Sequence, residues 1–278
     1  MLIGGAFIAG LLAVGVVLFL PESGNRVQGP ASSSFAPPPP PPQAPPQPLP
    51  QAPQARIAIV VDDMGYEPSL DAEWLKLPGK LNVAVLPFGP SSRKVAESAR
   101  ARGWGVILHV PMEPENPASD KTERFRIRRG MTGAEIESLL SRMAENLPQA
   151  TGVSNHMGSA ATSDRATMSA FVSAIRKRGY FLLDSVTTPA SVALDAAGNA
   201  GVPAARRDVF LDSSLSPEDM RSRWEQAVSL AKEKGTAVLI CHAKAETLRV
   251  IAALLPRLRE ANVQAVTLDE LLRPGKET

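Results

Sequence analysis

Short apolar segments alternate with longer amphipathic segments from residue 56 to residue 278, and this alternation constrains the fold more than any other feature of the sequence. The apolar segments are rich in valine, isoleucine and leucine, as buried parallel strands are. They are Ile57–Val61, Val83–Leu86, Val106–His109, Tyr180–Leu183, Val209–Leu211, Ala237–Cys241 and Ala265–Leu268. Strands that alternate with helices predict βα units around a mainly parallel sheet, so we expect one α/β domain over residues 56–278.

Several of the amphipathic segments begin and end with helix-boundary residues. Thr132 and Glu135 form a capping-box pattern in front of apolar residues that fall on one helical face. Asp164 is a suitable N-cap for a second helix, and the Ser216-Pro217 pair opens a third. The predicted helices occupy residues 132–148, 164–179 and 216–235.

The first 55 residues differ in composition from the rest of the chain. Residues 2–20 carry no charged or strongly polar side chain, and as a helix they could cross the ~30 Å of a bilayer's hydrocarbon core. We predict a transmembrane anchor at residues 1–21, with a cleaved secretory signal as the alternative. Residues 22–55 are a proline-rich linker that favours polyproline II. This arrangement predicts a single-pass inner-membrane protein whose domain lies in the periplasm.

Other sequence features argue against several classes of function. The formal net charge is only +2 and no zinc-finger spacing is present, so nucleic-acid binding has no support. The Gly-x-Ser-x-Gly pattern of serine hydrolases and the glycine patterns of nucleotide sites are absent. Cys241 is the only cysteine, so it has no disulfide partner within the chain, and we expect it to fill the core.

Polar residues follow directly after apolar segments at five places. They are Asp62-Asp63, His109, His156, Asp184 and His242. In parallel α/β proteins the ligand lies at the carboxyl ends of the strands, so these side chains are expected at one common mouth. All three histidines of the chain are among them.

Taken singly, each of these residues also has a structural interpretation. A lone histidine can be a hydrogen-bonded core residue, and Asp62-Asp63 can be a helix cap and turn. However, two carboxylates at the end of a buried strand repel each other unless a cation or hydrogen bonds compensate. Two imidazoles and one carboxylate suit zinc or another divalent metal and leave a position for water. The set therefore predicts a shared metal site.

Six blocks of the sequence resemble the divergent polysaccharide deacetylase family, relatives of the NodB-type carbohydrate esterases. The blocks are residues 57–66, 108–114, 155–159, 183–188 and 207–212, and the strand that ends at His242. The resemblance implies a deformed (β/α) barrel. It also implies metal-dependent removal of N- or O-acetyl groups from an envelope polysaccharide or a peptidoglycan-related glycan. A catalytically inactive glycan-binding or scaffold protein of the envelope is the alternative.

The resemblance implies roles for individual residues. The family pattern points to three metal ligands: Asp63, His109 and His156. It also points to a general base and a general acid: Asp62 and His242. The implied metal is divalent, and zinc suits these ligands best.

Three further residues would orient His242 or Asp62 by the same resemblance: Asp184, Arg207 and Asp208. Each has an alternative, since Asp184 can cap the next helix and Arg207 and Asp208 can form an ordinary ion pair. The block at His242 reads Cys-His-Ala-Lys where family members commonly have Gly-His-Pro.

Overall fold

A computed structural model describes residues 55–116, 122–214 and 216–273 of the chain. The predicted anchor at residues 1–21 lies outside these residues, as does the predicted linker at 22–55 except for Ala55. Within the described ranges, no helix is long and apolar enough to span a bilayer.

The described residues form one sheet of nine strands. The strands are β1 (Ala55–Met64), β2 (Asn82–Val85), β3 (Gly105–Met112), β4 (Gly152–Met157), β5 (Phe181–Asp184), β6 (Ala204–Arg206), β7 (Val209–Phe210), β8 (Thr236–His242) and β9 (Val263–Ala265). Their order is β6-β5-β4-β3-β2-β1-β8-β7, and β9 pairs with β1. Each hydrogen-bonded pair runs parallel, as the alternation of strands and helices predicts.

Helices connect the strands. They are α1 (Pro68–Trp74), α2 (Ser92–Ala101), α3 (Gly133–Asn146), α4 (Ser159–Ser163), α5 (Arg165–Lys177), α6 (Ala193–Ala200), α7 (Pro217–Lys234), α8 (Ala245–Leu254), α9 (Arg257–Glu260) and α10 (Leu268–Leu272), with a short 3₁₀ helix at Glu123–Phe125. The three predicted caps are confirmed. Thr132 and Glu135 form a capping box, and Asp164 and Ser216 accept hydrogen bonds from the first turns of α5 and α7.

Two strands were not predicted from the sequence, and one prediction was partly wrong. β4 was missed because polar residues occupy its second half, and β6 was missed because it is only three residues long. The predicted strand Ala265–Leu268 ends at Ala265, and Leu268 instead begins α10. Thr267 and Glu270 form a capping box there, which favours a helix start over a longer strand.

The sheet is curled because one short segment contacts both of its ends. β6 pairs with β5 and β7 pairs with β8, yet only Arg207 and Asp208 separate β6 from β7. The Arg207 amide donates to the Asp184 carbonyl at 3.0 Å, and the Asp208 amide donates to the Val238 carbonyl at 2.9 Å. Consecutive Cα atoms are ~3.8 Å apart, so the two ends of the strand order lie close together. The resemblance implied a deformed (β/α) barrel, and the described residues form a curled half-barrel of parallel strands with α/β connections.

The core has an inner and an outer part. Ala58 and Val60 belong to an inner cluster, whereas Val61 belongs to the larger outer cluster, to which the helices contribute. Leu268 of α10 packs in the inner cluster, and its amide donates to Asn82 Oδ1 at the start of β2. α10 therefore covers the end of the sheet at which the strands begin. The opposite end, where the strands finish, carries the polar residues of the predicted site.

Candidate metal centre

Strand alternation directs the predicted site residues to the inside of the curled sheet. Side chains two residues apart in a strand face the same side. Asp62, His109 and His242 each lie two residues after an inner-cluster residue of the same strand. His156 lies two residues after Ser154, which pairs in register with His109. The four side chains therefore converge at the carboxyl ends of β1, β3, β4 and β8.

Asp63 joins this group only because the backbone of β1 changes at its end. Strict alternation would place Asp62 and Asp63 on opposite faces of the sheet. Asp63 instead has a φ of 67°, in the left-handed region, and the β1–β2 register shifts between Val61 and Met64. A non-glycine residue in this region is uncommon and frequently marks a functional site. Both carboxylates consequently reach the same mouth.

Asp63, His109 and His156 lie close enough to share one cation. Their potential ligand atoms are all within 4.8 Å of one another. Asp63 Oδ1 lies 3.2 Å from His109 Nε2 and 2.8 Å from His156 Nδ1. Zinc bonds of ~2.0–2.2 Å in a tetrahedral site separate neighbouring ligand atoms by about 3.3 Å, close to these distances. The three residues therefore fit a divalent metal with one position left for a further ligand.

The two adjacent carboxylates differ in their electrostatic surroundings. Burial raises the pKa of Asp63, but hydrogen bonds from His109 and His156 outweigh it and hold the pKa well below its usual value. The pKa of Asp62 is raised above its usual value, and burial is the largest cause. Asp62 Oδ2 lies 3.8 Å from His109 Nε2, while Asp62 Oδ1 is buried with no hydrogen-bond partner among the described residues. A cation beside Asp62 would compensate this unsatisfied charge.

His242 is held by a carboxylate that the sequence analysis did not assign. Asp212, directly after the predicted strand Val209–Leu211, lies 3.1 Å from His242 Nδ1 and accepts the His242 amide at 3.0 Å. The Thr247 hydroxyl also donates to Asp212, at 2.9 Å. Burial lowers the pKa of His242, but the Asp212 hydrogen bond and the charge of Asp63 outweigh it, so the pKa is raised. The rule that selects polar residues after apolar segments would also have selected Asp212.

Burial raises the pKa of Asp212, but its contacts with His242 and Thr247 outweigh it and lower the pKa below its usual value. Asp212 is therefore ionised when His242 is protonated. The other ring nitrogen of His242, Nε2, lies 3.9 Å from Asp63 Oδ2, at the mouth. This arrangement favours a protonated imidazole beside the three potential ligands.

Asp184 and Asp208 each accept a hydrogen bond from a backbone amide. Asp184 follows Leu183 of the inner cluster by one residue, and its carboxylate accepts the Val186 amide at 2.8 Å. Asp208 accepts the Val238 amide at 2.8 Å, where the curled sheet closes. That either carboxylate also orients His242 or Asp62 stays a prediction. Their partners are backbone groups, because both lie where β5 and β8 meet the connecting segment.

Arg207 lines the same cleft as Asp62. Its Nε donates to the Ser185 carbonyl at 2.8 Å and its Nη2 to the Val186 carbonyl at 2.9 Å. Burial lowers the pKa of Arg207, and the charges of Asp62 and Asp184 offset part of that effect. Arg207 therefore both places a positive charge near Asp62 and holds the loop after β5.

Replacing Asp208 with alanine is expected to lower stability without affecting metal binding. The substitution leaves the buried Val238 amide without its acceptor, which costs about 1–3 kcal/mol. Urea unfolding measures the loss of stability, and metal titration measures whether metal binding is unchanged. Asp208→Asn keeps a carbonyl acceptor and should retain most of the stability. A loss of metal from Asp208→Ala at unchanged stability would contradict this assignment.

Ser154 is a second residue that the sequence analysis missed. It is completely buried, and its Oγ lies 2.7 Å from His109 Nδ1. A proton on Nδ1 that is shared with Ser154 leaves the lone pair of Nε2 directed at the Asp63 side, where a metal would lie. No local signal identifies Ser154, since it is 45 residues from His109 in the sequence.

Replacing Ser154 with alanine is expected to weaken metal binding by about 10–100-fold, because the His109 ring loses the partner that fixes its orientation. Competition titration with a chromogenic chelator measures the change. Ser163→Ala, a substitution on α4 at a residue that does not line the cleft, is the matched control. Equal metal affinity in the wild type and in Ser154→Ala would show that the contact does not orient His109.

The site lies at the base of a cleft of about 430 Å³. Besides the potential ligands, the cleft is lined by apolar side chains and by residues of the loop after β5, among them Met157, Val186, Thr187, Phe210 and Ile240. Cys241 is buried in the outer cluster, where burial raises the pKa of its thiol well above the usual value. The cysteine therefore fills the core, as expected, and presents no reactive thiolate.

Comparison with known proteins supplies an independent indication of relationship. Residues 59–272 match the family model described as divergent polysaccharide deacetylase. The uncharacterized protein YibQ of Escherichia coli is 36% identical over 203 residues, which are 73% of this chain and 63% of that protein. An uncharacterized protein of Haemophilus influenzae is 33% identical over 223 residues, which are 80% of this chain and 79% of that protein. The chain thus spans less than two thirds of the Escherichia coli relative.

A solved structure shows the same fold. The crystal structure of an uncharacterized protein from Agrobacterium tumefaciens C58 aligns with a TM-score of 0.76 and 21% sequence identity. The alignment covers 81% of this chain and 92% of that protein. The curled parallel architecture is therefore shared with this protein.

Proposed function

The chain belongs to the divergent polysaccharide deacetylase family, and we propose that it is a metal-dependent hydrolase. Its proposed substrate is an N- or O-acetylated envelope polysaccharide or peptidoglycan-related glycan. The observation that carries the proposal is the convergence of Asp63, His109 and His156 within 4.8 Å beside the buried carboxylate of Asp62. Asp62 Oδ1 is buried without a hydrogen-bond partner among the described residues, and a cation at this position would compensate its charge.

The proposed metal is divalent, and zinc suits the ligands best. Asp63, His109 and His156 would hold it, since two imidazoles and one carboxylate are a frequent ligand set of catalytic zinc. When bound, the cation would polarise the acyl carbonyl and lower the pKa of the attacking water.

Asp62 is the proposed general base. It lies beside the ligands, and its raised pKa makes it a carboxylate that can hold a proton taken from the attacking water. Water adds to the acyl carbon, and the bond from that carbon to the sugar nitrogen or oxygen then breaks. Acetate leaves with the new oxygen, and the sugar amine or hydroxyl needs one proton.

His242 is the proposed general acid that supplies this proton. Its raised pKa favours the protonated imidazole, and Asp212 fixes the ring through Nδ1. Nε2 then faces the mouth and can donate to the departing group. Asp62 thus accepts one proton, from water, and His242 donates another, to the departing amine or hydroxyl, and the raised pKa of each suits that task.

The proposal extends to the location of the protein. Residues 1–21 would hold it in the inner membrane, and the proline-rich residues 22–55 would space the domain from the bilayer on the periplasmic side. Envelope glycans would be within reach there. Fractionation of cells, combined with protease accessibility of the domain in spheroplasts, tests this placement.

Acetate release tests the activity. The full-length protein is incubated with acetylated chitooligosaccharides and with peptidoglycan fragments, before and after removal of metal by a chelator. We expect acetate from the untreated protein, loss after chelation and recovery on addition of zinc. Acetate release that chelation leaves unchanged would contradict metal dependence.

A further inference from the structure

Strained backbone is concentrated at the carboxyl ends of the strands. Five described non-glycine residues have a positive φ: Asp63, Phe88, Met157, Val186 and Asn262. The first four lie at or after the ends of β1, β2, β4 and β5, and only Asn262 lies elsewhere, before β9. Asp63, Met157 and Val186 line the cleft described above. Phe88 is therefore the one strained residue of this edge that does not line that cleft.

Phe88 is an unusual residue for this backbone conformation. Phe88 has a φ of 65°. Glycine adopts this backbone conformation without steric cost, whereas a residue with a bulky side chain rarely does. Such strain persists only where the surrounding structure imposes it, and it clusters at binding and catalytic sites. The ring nevertheless remains partly exposed rather than fully packed in the core.

The loop that carries Phe88 is fixed against the turn that carries Asp63. The Leu86 amide donates to the Met64 carbonyl at 2.9 Å, and the Ser91 amide donates to the Gly65 carbonyl at 3.1 Å. A Cβ at Gly89 would lie 2.2 Å from the Gly65 carbonyl oxygen, so the two backbones approach as closely as glycine allows. The position of Phe88 is consequently tied to that of the potential metal ligand.

Tyr66 lies beside the same loop. Its hydroxyl donates to the Pro87 carbonyl at 3.3 Å, and it follows Asp63 by three residues. The Phe125 ring packs against the Phe88 ring, with ring centroids 4.3 Å apart. Tyr66 and Phe88 therefore lie together at the carboxyl end of β2, beside the turn that carries Asp63.

Among the described residues, most of the partly exposed aromatic rings lie at one end of the sheet. Four of the aromatic side chains are partly exposed: Tyr66, Phe88, Tyr180 and Phe210. Tyr66, Phe88 and Phe210 lie at the carboxyl ends of the strands, whereas Tyr180 precedes β5 at the opposite end. Partly exposed aromatic rings cost hydration free energy unless a ligand covers them, and their apolar faces match the C–H faces of sugar rings.

We propose that Phe88 and Tyr66 form a subsite that binds a second sugar ring of an oligomeric glycan, next to the residue held at the metal centre. This inference rests on the proposed function for the identity of the ligand. It assigns the reacting sugar to the cleft and its neighbour in the chain to the β2 side. The protein should accordingly prefer oligosaccharides over single sugars.

Calorimetric titration of the zinc-loaded full-length protein with acetylated chitooligosaccharides of one to four sugars tests the subsite. In Phe88→Ala, affinity for the tetramer is expected to fall about tenfold, while affinity for the single sugar and metal content stay unchanged. Phe88→Trp keeps a ring and should retain tetramer binding. Tyr180→Ala removes a partly exposed ring at the opposite end of the sheet and should bind as the wild type does.

Phe88→Gly relaxes the left-handed backbone while removing the ring, so it keeps the test valid if Phe88→Ala folds poorly. Equal tetramer affinity in Phe88→Gly and the wild type would overturn the subsite, as would an absence of oligosaccharide binding by the wild type. Acetate release from the same samples separates the two proposals. Tetramer binding that depends on Phe88 without any acetate release would uphold the subsite and reject the hydrolase.

Discussion

Replacing His109 or His156 with alanine is expected to weaken divalent metal binding by at least about 100-fold. Loss of a partner outside the ligand set typically costs about 10–100-fold, and loss of a ligand removes a direct bond to the cation. Asp63 Oδ1 lies within 3.2 Å of both imidazoles, so each substitution also removes a contact that stabilises the Asp63 carboxylate. Metal content after dialysis, followed by calorimetric titration, measures the effect.

His242→Ala is the matched control for these two substitutions. His242 also lies at the mouth, but it is not among the three residues whose potential ligand atoms are grouped together. Its removal should leave the metal content near that of the wild type and reduce acetate release. Full metal content in both His109→Ala and His156→Ala would reject this ligand set.

Asp62→Asn is expected to lower acetate release by about 10²–10⁴-fold while metal remains bound, because an amide of the same shape cannot accept the proton from water. The substitution changes the charge of a buried group whose Oδ1 has no hydrogen-bond partner in the described structure, so it should not unfold the protein. Initial rates on acetylated chitooligosaccharides, with metal content measured on the same preparations, give the result.

Asp195→Asn removes an exposed carboxylate on α6 and is the matched control, with wild-type rates expected. Rates in Asp62→Asn that equal those of the wild type would exclude Asp62 as the base. Saturable glycan binding by a wild-type protein that releases no acetate would instead support the inactive glycan-binding alternative.

Local sequence patterns determined much of the architecture. Hydrophobic periodicity and capping residues act over a few neighbouring positions, so they identified strands such as Ile57–Val61 and the helix that begins after Thr132. β4 was the main omission, because the residues that face the site interrupt its apolar pattern. The position of each histidine near the end of an apolar segment is also a local feature of the sequence. It was enough to predict that the three histidines lie at the carboxyl edge of the sheet.

The geometry of the site depended on the tertiary structure. Asp212 and Ser154 contact His242 and His109 across strand pairs, 30 and 45 residues away in sequence, where no local pattern extends. Asp208 closes the sheet because the segment that carries it contacts β5 and β8 together. The sequence by itself determined which chemical groups would lie at the ends of the strands, since the period of a strand is local. Which groups touch was decided by the curl of the sheet and the left-handed turn at Asp63, because both depend on contacts between distant strands.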